Sequence, residues 1–282
     1  MSGPTTQSEQ MFEKYLRALG LDEFLHEPAI PGSGRHPDYA VKIGGETAYF
    51  EVKEFDGESH PPINGWSDPI GPIRAKITSA QRQLKTLKGE MCGIVLANPQ
   101  HAFVMLSEEI LIFGAMLGDP GFTFAINKAT GESDPSQDRA AFLDGGKMVR
   151  YKSGQRIAPQ NTTISAVCVV GRFPVGSRRF QLRVAQYRKS HREEPDLEWL
   201  SKELGACGPA IEESFPYLRV FENPYAVRPL AQVFGSGPWD ERFGAVSGRL
   251  KRLAVGDALR RLESEEFAVG IVPSDPMGLL EL

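Results

Sequence analysis

An α/β protein with a mixed central β-sheet flanked by helices is the fold class this sequence predicts, on three observations. Segments 6–19 and 73–87 repeat apolar residues at helical spacing. Segments 38–43 and 46–55 read as two strands closed by Gly44-Gly45, a dipeptide suited to the positive φ angles of a type I′ turn. Segment 92–97 is a short unbroken apolar run, the pattern of a strand covered on both faces. Helix, hairpin, helix and strand in that order need a layered packing, because each amphipathic helix must lay its apolar stripe on a sheet face.

The first helix places Phe12, Tyr15, Leu16 and Leu19 on one stripe and ends at Gly20. At about 100° per residue, Glu9 falls roughly 70° from the centre of that stripe and Glu13 roughly 110°, so Glu9 is the nearer to the sheet. Thr6, three residues earlier, offers Glu9 a purely structural task as the partner in a capping box. The glycine turn then sets the register of the hairpin. With Ile43 opposite Glu46, Ala40 meets Tyr49 and Asp38 lies opposite Glu51, their Cβ atoms roughly 5 Å apart on one face. Lys53 shares that face, being two residues from Glu51 on the same strand. A Pro/Gly-rich loop spans 56–72, and the second helix buries Ile73, Ile77, Ala80, Leu84 and Leu87. Lys76 and Gln83 stand seven residues apart on one flank of it.

Beyond Pro99 the pattern is coarser. Residues 102–106 and 122–126 read as strands, with Ser107 capping a helix to about Leu117 between them. Residues 127–160 are polar and turn-rich, 164–170, 180–187 and 218–221 read as strands, and a helix is expected near 196–204. Asn223, Tyr225 and Trp239 read as packing and turn residues. A helix over 255–264 turns Ala258, Leu259 and Leu262 inward. The expected organisation is one α/β domain over 1–245, with its core motifs in 9–97, and a C-terminal helical extension over 246–282.

The chemistry lies in the hairpin. Opposed carboxylates repel, so Asp38 against Glu51 calls for an offsetting charge. A divalent cation suits them, since Mg²⁺ takes hard oxygen ligands and commonly uses one or two carboxylates with waters and phosphate. Lys53 beside them can stabilise charge on a phosphate or orient a water. The plainer alternative makes Asp38 a turn-starter after Pro37, and Glu51 and Lys53 the solvated side of an amphipathic strand.

Pro37-Asp38 followed by Glu51-Val52-Lys53 resembles the motif of the PD-(D/E)xK nuclease superfamily, the restriction-endonuclease-like fold. The resemblance covers roughly 9–97. It implies a restriction-endonuclease-like core with an extended C-terminal half, and a hydrolase that cuts phosphodiester bonds with Mg²⁺, for which Mn²⁺ substitutes. The implied activity is that of an endonuclease acting on DNA in preference to RNA. Under the resemblance Asp38 and Glu51 hold the metal and Lys53 assists water and phosphate. Glu9 stands eleven residues before Gly20, much as the helix-one glutamate does in archaeal Holliday-junction resolvases, and would serve a second metal or its water. Gln83 and Lys76, with Arg74 on the same helix, would hold the scissile phosphate. A homodimer or a partner subunit is implied where both strands are cut. The alternative is a catalytically inactive module of this fold that binds nucleic acid or a protein partner, as in a genome-defence assembly.

Composition bounds these readings. The chain has 282 residues, 41% hydrophobic and 24% charged, enough to bury a sizeable core. Its net charge of −4 disfavours strong unaided nucleic-acid binding but permits a local basic cleft. Candidate clusters are Arg74, Lys76, Arg82, Lys85 and Lys88, then Arg178-Arg179, then Arg249, Lys251, Arg252, Arg260 and Arg261; the first reading of each is a solvated charged face. No apolar stretch approaches the ~20 residues of a membrane span, and no signal region is evident, so a cytoplasmic location without membrane partners is expected. Cys92, Cys168 and Cys207 are too scattered for a disulfide framework or a CxxC site. His36 and His60 bracket the hairpin without metal-ligand spacing, and Trp66 reads as a loop anchor. There is no GxxxxGK[ST] or GxSxG, which leaves NTPase and serine-hydrolase chemistry without support.

Overall fold

A computed structural model describes residues 5–30, 36–55, 68–100, 106–123, 139–142, 145–152, 155–246, 249–269 and 280–281. The expected core forms in the expected order. Helix α1 (Gln7–Ala18) precedes strand β1 (Phe24–His26), the hairpin β2 (Tyr39–Ile43) and β3 (Glu46–Glu54), helix α2 (Gly71–Leu84) and strand β4 (Met91–Ala97). Gly44 and Gly45 take φ of 54° and 90°, as the tight turn demands. Ile43 consequently pairs with Glu46 and Ala40 with Tyr49. Strand β2 begins one residue after Asp38, which lies in a bend at the mouth of the hairpin.

The second half widens this sheet. Helix α3 (Glu109–Leu117) and strands β5 (Pro120–Thr123) and β6 (Arg139–Phe142) come first, then the separate ribbon of β7 (Val149–Lys152) and β8 (Gln155–Pro159). Strand β9 (Ile164–Phe173), helices α4 (Val175–His191) and α5 (Leu197–Cys207), and strands β10 (Phe215–Glu222), β11 (Glu241–Val246) and β12 (Arg249–Val255) follow. Helix α6 (Asp257–Ala268) and β13 (Leu280–Glu281) complete the set. The main sheet is mixed and ordered β1-β2-β3-β4-β9-β10-β11-β12-β13-β6-β5. Strands β3, β4 and β9 run parallel at its centre, so their C-terminal ends share one edge. Gly93 of β4 admits the Phe50 ring of β3; a Cβ there would sit 2.5 Å from it.

Two apolar layers sandwich the sheet. Phe12, Tyr15 and Leu16 of α1 pack on the face carrying Val41, Ala48, Phe50, Val52 and Val95. Ile73, Ile77, Ala80 and Leu84 of α2, with α3, pack on the face carrying Ile94, Leu96, Val167 and Val169. The first turn of α1 is tied down by Ser8, whose backbone N–H and Oγ both donate to one oxygen of Glu54, at 3.0 and 2.8 Å. Gln100 donates to the other oxygen at 3.0 Å. Ser8→Ala is expected to lower stability by about 1 kcal/mol, read as a smaller urea midpoint at unchanged slope; no shift would mean that Glu54 is held by its other partners alone.

Several sequence expectations are corrected. Residues 180–187 are not a strand but the middle of α4. Phe180, Leu182 and Val184 alternate like strand residues, yet only Leu182 of them is buried, because the helix lays one narrow edge on the body of the protein. Helix α3 is not capped by Ser107: Glu108 occupies the N-cap and makes no side-chain cap bond. Segment 246–282 carries the expected helix as α6, with Leu259 and Leu262 buried, but also β12, which pairs antiparallel with β11 inside the sheet. Polar stretch 127–160 contains β6, β7 and β8. The strand expected at 102–106 falls almost wholly outside the described residues, as do His60 and Trp66. Among the described residues, no helix is long and apolar enough to cross a membrane.

Candidate active site

Register alone brings the acidic pair together. Alternation along β3 sends Val52 toward α1 and Glu51 and Lys53 toward α2, so both functional side chains share the face that α2 covers. Glu51 is fully buried, 0% exposed. Lys53 Nζ donates to Glu51 Oε1 at 2.5 Å and to Gln83 Oε1 at 3.3 Å, which joins α2 to the hairpin. Asp38 turns its carboxylate back across the ladder, and Oδ2 accepts the Val52 backbone N–H at 2.7 Å. The Asp38 carboxylate therefore lies at the C-terminal edge of β3, between Glu51 and the start of β2.

The electrostatics of the pair are those of a site short of positive charge. Burial raises the Glu51 pKa most, the Asp38 carboxylate raises it further, and Lys53 only partly offsets them, leaving it at about 8. Burial also raises Asp38, against the Val52 N–H and Lys53. Glu51 Oε2 is buried without a hydrogen-bond partner. An orphaned carboxylate oxygen inside a protein is costly. Its placement beside a second carboxylate fits a hard divalent cation, for which Asp38 and Glu51 would be the protein ligands. Among the described residues, no three His, Cys, Asp or Glu side chains converge as a ready-made ion cage, so water and phosphate oxygens would have to complete the coordination shell.

Glu9 approaches from the other side of the sheet edge. Its Oε2 accepts the Thr6 N–H at 2.5 Å and Thr6 Oγ1 accepts the Glu9 N–H at 3.2 Å, which is the capping box. Its Oε1 lies 3.5 Å from His26 Nε2. Both groups act on Asp38, Glu9 raising its pKa and His26 lowering it. His26 is the neighbour the sequence did not reveal. It sits on a strand of only three residues, paired with Tyr39 and with its ring 5.1 Å from the Tyr39 ring at a tilt of 52°, and so short a strand leaves no alternation to read.

The expected phosphate-binding residues divide. Gln83 reaches the site through Lys53, and Lys76 shares its flank, with its ammonium 5.6 Å from the Phe55 ring centroid. Arg74 does not join them. Nine residues before Gln83 it points to about the opposite side of the helix, where it donates to Asp119 at 2.7 Å and to the Gly114 carbonyl at 3.0 Å. His36 instead contacts the Pro28 carbonyl at 3.1 Å.

No protein-family model matches the chain, and neither curated proteins nor solved structures return a match to it. Several cations of the C-terminal half are answered by acids: Arg178 meets Glu266, Arg179 meets Glu213, Arg183 meets Glu203, and Arg252 meets Glu241 and Glu263. Arg219 is buried between Glu109 and Glu241 and stacks on Phe221 and Phe243, a structural cation on the sheet.

Proposed function

We propose that the protein is a Mg²⁺-dependent nuclease, a cytoplasmic hydrolase of phosphodiester bonds acting on DNA as an endonuclease. The observation that carries this reading is the buried, unpartnered Glu51 Oε2 beside the Asp38 carboxylate, with the Lys53 ammonium in contact with the same glutamate. A structural strand gains nothing from such an arrangement, whereas a cation-binding one requires it. Asp38 and Glu51 would hold the ion, which when bound would polarise a phosphate oxygen and acidify a water. Lys53 supplies a fixed positive charge where negative charge develops on the phosphate, and Gln83 holds its ammonium at the site. Glu9 and His26 set the field around Asp38 from the far side. Lys76, on the flank that carries Gln83, is the second candidate for phosphate contact. A second copy of the chain or a partner subunit would serve cleavage of both strands.

The test is incubation of the purified protein with plasmid, linear duplex, single-stranded and branched DNA, and with RNA, in Mg²⁺, Mn²⁺ or EDTA. Strand breaks in DNA with metal, and none in EDTA, are the expected result. Intact substrates under all conditions would remove the nuclease reading and leave a binding module.

A further inference from the structure

At the sheet edge that bears the acidic pair, three aromatic rings lie nearly parallel and are used by nothing described above. Trp239, in the segment before β11, stacks on Phe173 of β9 with centroids 5.0 Å apart and planes at 17°, and on Phe215 of β10 at 5.7 Å and 13°. Arg178 Cζ lies 5.9 Å from the Phe173 centroid. Trp239 is thus the middle layer of a stack that ends at Phe215, which is 37% exposed. Phe173 and Phe215 are register partners at the ends of their strands. Burial elsewhere pulls aromatic rings inward, and a stack with an open end is a poor way to seal an edge.

Position connects the stack to the site. Lys53 is level with Leu96 of β4, which is level with Val169 of β9. Phe173 lies four residues beyond Val169 on the same face, about 13 Å along the strand and, two strands across, about 10 Å sideways. Lys53, Glu51, Phe173 and Phe215 therefore share one face and one end of the sheet. Arg172, which alternation turns to the opposite face from Phe173, donates to Ser214 Oγ at 2.8 Å and to the Ser214 carbonyl at 3.1 Å, tying the start of β10 to the end of β9.

We propose that the Phe173–Trp239–Phe215 stack is a nucleobase platform, on whose open Phe215 face an unpaired base of the nucleic acid continues the stack, so that the substrate carries a single-stranded segment. This rests on the nuclease reading for the path of the strand. Stacking on aromatic side chains tolerates any base, because every base has a π-face, and it is unavailable to bases stacked within an intact duplex.

The experiment measures binding in EDTA of a labelled duplex with a short single-stranded tail, the same duplex blunt, and the single strand alone, by the full chain. Phe215→Leu keeps apolar volume without a π-face and is expected to lose about tenfold in affinity for the tailed and single-stranded probes, with blunt-duplex binding unchanged. Phe215→Tyr should bind as the wild type does. Equal affinity of wild type and Phe215→Leu for the tailed probe, the same loss on blunt duplex, or no binding of tailed DNA by wild type would overturn the platform. Cleavage scored in parallel with Mg²⁺ separates the two ideas. Binding through Phe215 without any cleavage upholds the platform and removes the nuclease, whereas cleavage with tail binding indifferent to Phe215 does the reverse.

Discussion

Replacing Lys53 by alanine is expected to lower the rate of DNA cleavage by about 10²–10³ while leaving the chain folded, because the ammonium acts on the phosphate and is not an ion ligand. Folding should survive for a specific reason. Lys53 contacts Glu51 at 2.5 Å, and its loss would strand a buried charge if Glu51 had to stay ionised. Glu51 instead titrates at about 8 with the lysine present, so without it the carboxyl takes up a proton and the cost of a lone buried anion is avoided. Metal binding by the variant is therefore to be compared above pH 8, where Glu51 is most readily ionised. Single-turnover cleavage and Mn²⁺ titration of both proteins provide the check. Equal cleavage rates would mean that the activity is real but resides on other residues, and loss of Mn²⁺ affinity at high pH would mean that Lys53 organises the ion site and does not act on the phosphate.

Glu51→Gln is expected to stabilise the metal-free protein at neutral pH by roughly 1–3 kcal/mol, several degrees in Tm for a chain of this size. The sign follows from the direction of the shift. Glu51 titrates at about 8 in the folded chain against 4.5 ordinarily, so between those values the folded state holds a proton that the unfolded state has released. Stability is then fullest below pH 4.5 and falls as pH rises toward 8, by up to about 1.4 kcal/mol per pH unit for one proton. Glutamine removes that slope, less whatever the Lys53 contact returns. Thermal melts in EDTA across this window should therefore diverge upward in pH, the variant staying flatter. Mg²⁺ or Mn²⁺ should raise the Tm of the wild type more than that of the variant. Parallel curves, or equal shifts with metal, would mean that Glu51 is neither strained by its charge nor a ligand.

The core was legible in the sequence where one local rule settles a long-range relation. Gly44-Gly45 fixes the turn, the turn fixes the register, and the register puts Asp38 at the mouth of the hairpin beside Glu51. The stripes of α1 and α2 and the apolar run of β4 were equally plain, since each buries a complete face. Helix α4 was not, because it buries so little that its apolar residues carry no helical period. Strands β1, β11 and β12 stayed hidden too, being short, edge-like or partly exposed.

The sequence by itself thus determined which side chains share a strand face, because pleat and turn geometry are properties of the local chain. Only the tertiary structure decided what surrounds them. Helix α2 closes over Glu51 and brings Gln83 to Lys53, while its own rotation carries Arg74 to Asp119 instead. The three-residue strand β1 delivers His26 to Glu9 and Asp38. Burial, and with it the raised pKa of Glu51 and the orphaned Oε2, arises from segments that are distant in the chain closing around the carboxylate, and no local pattern encodes that enclosure.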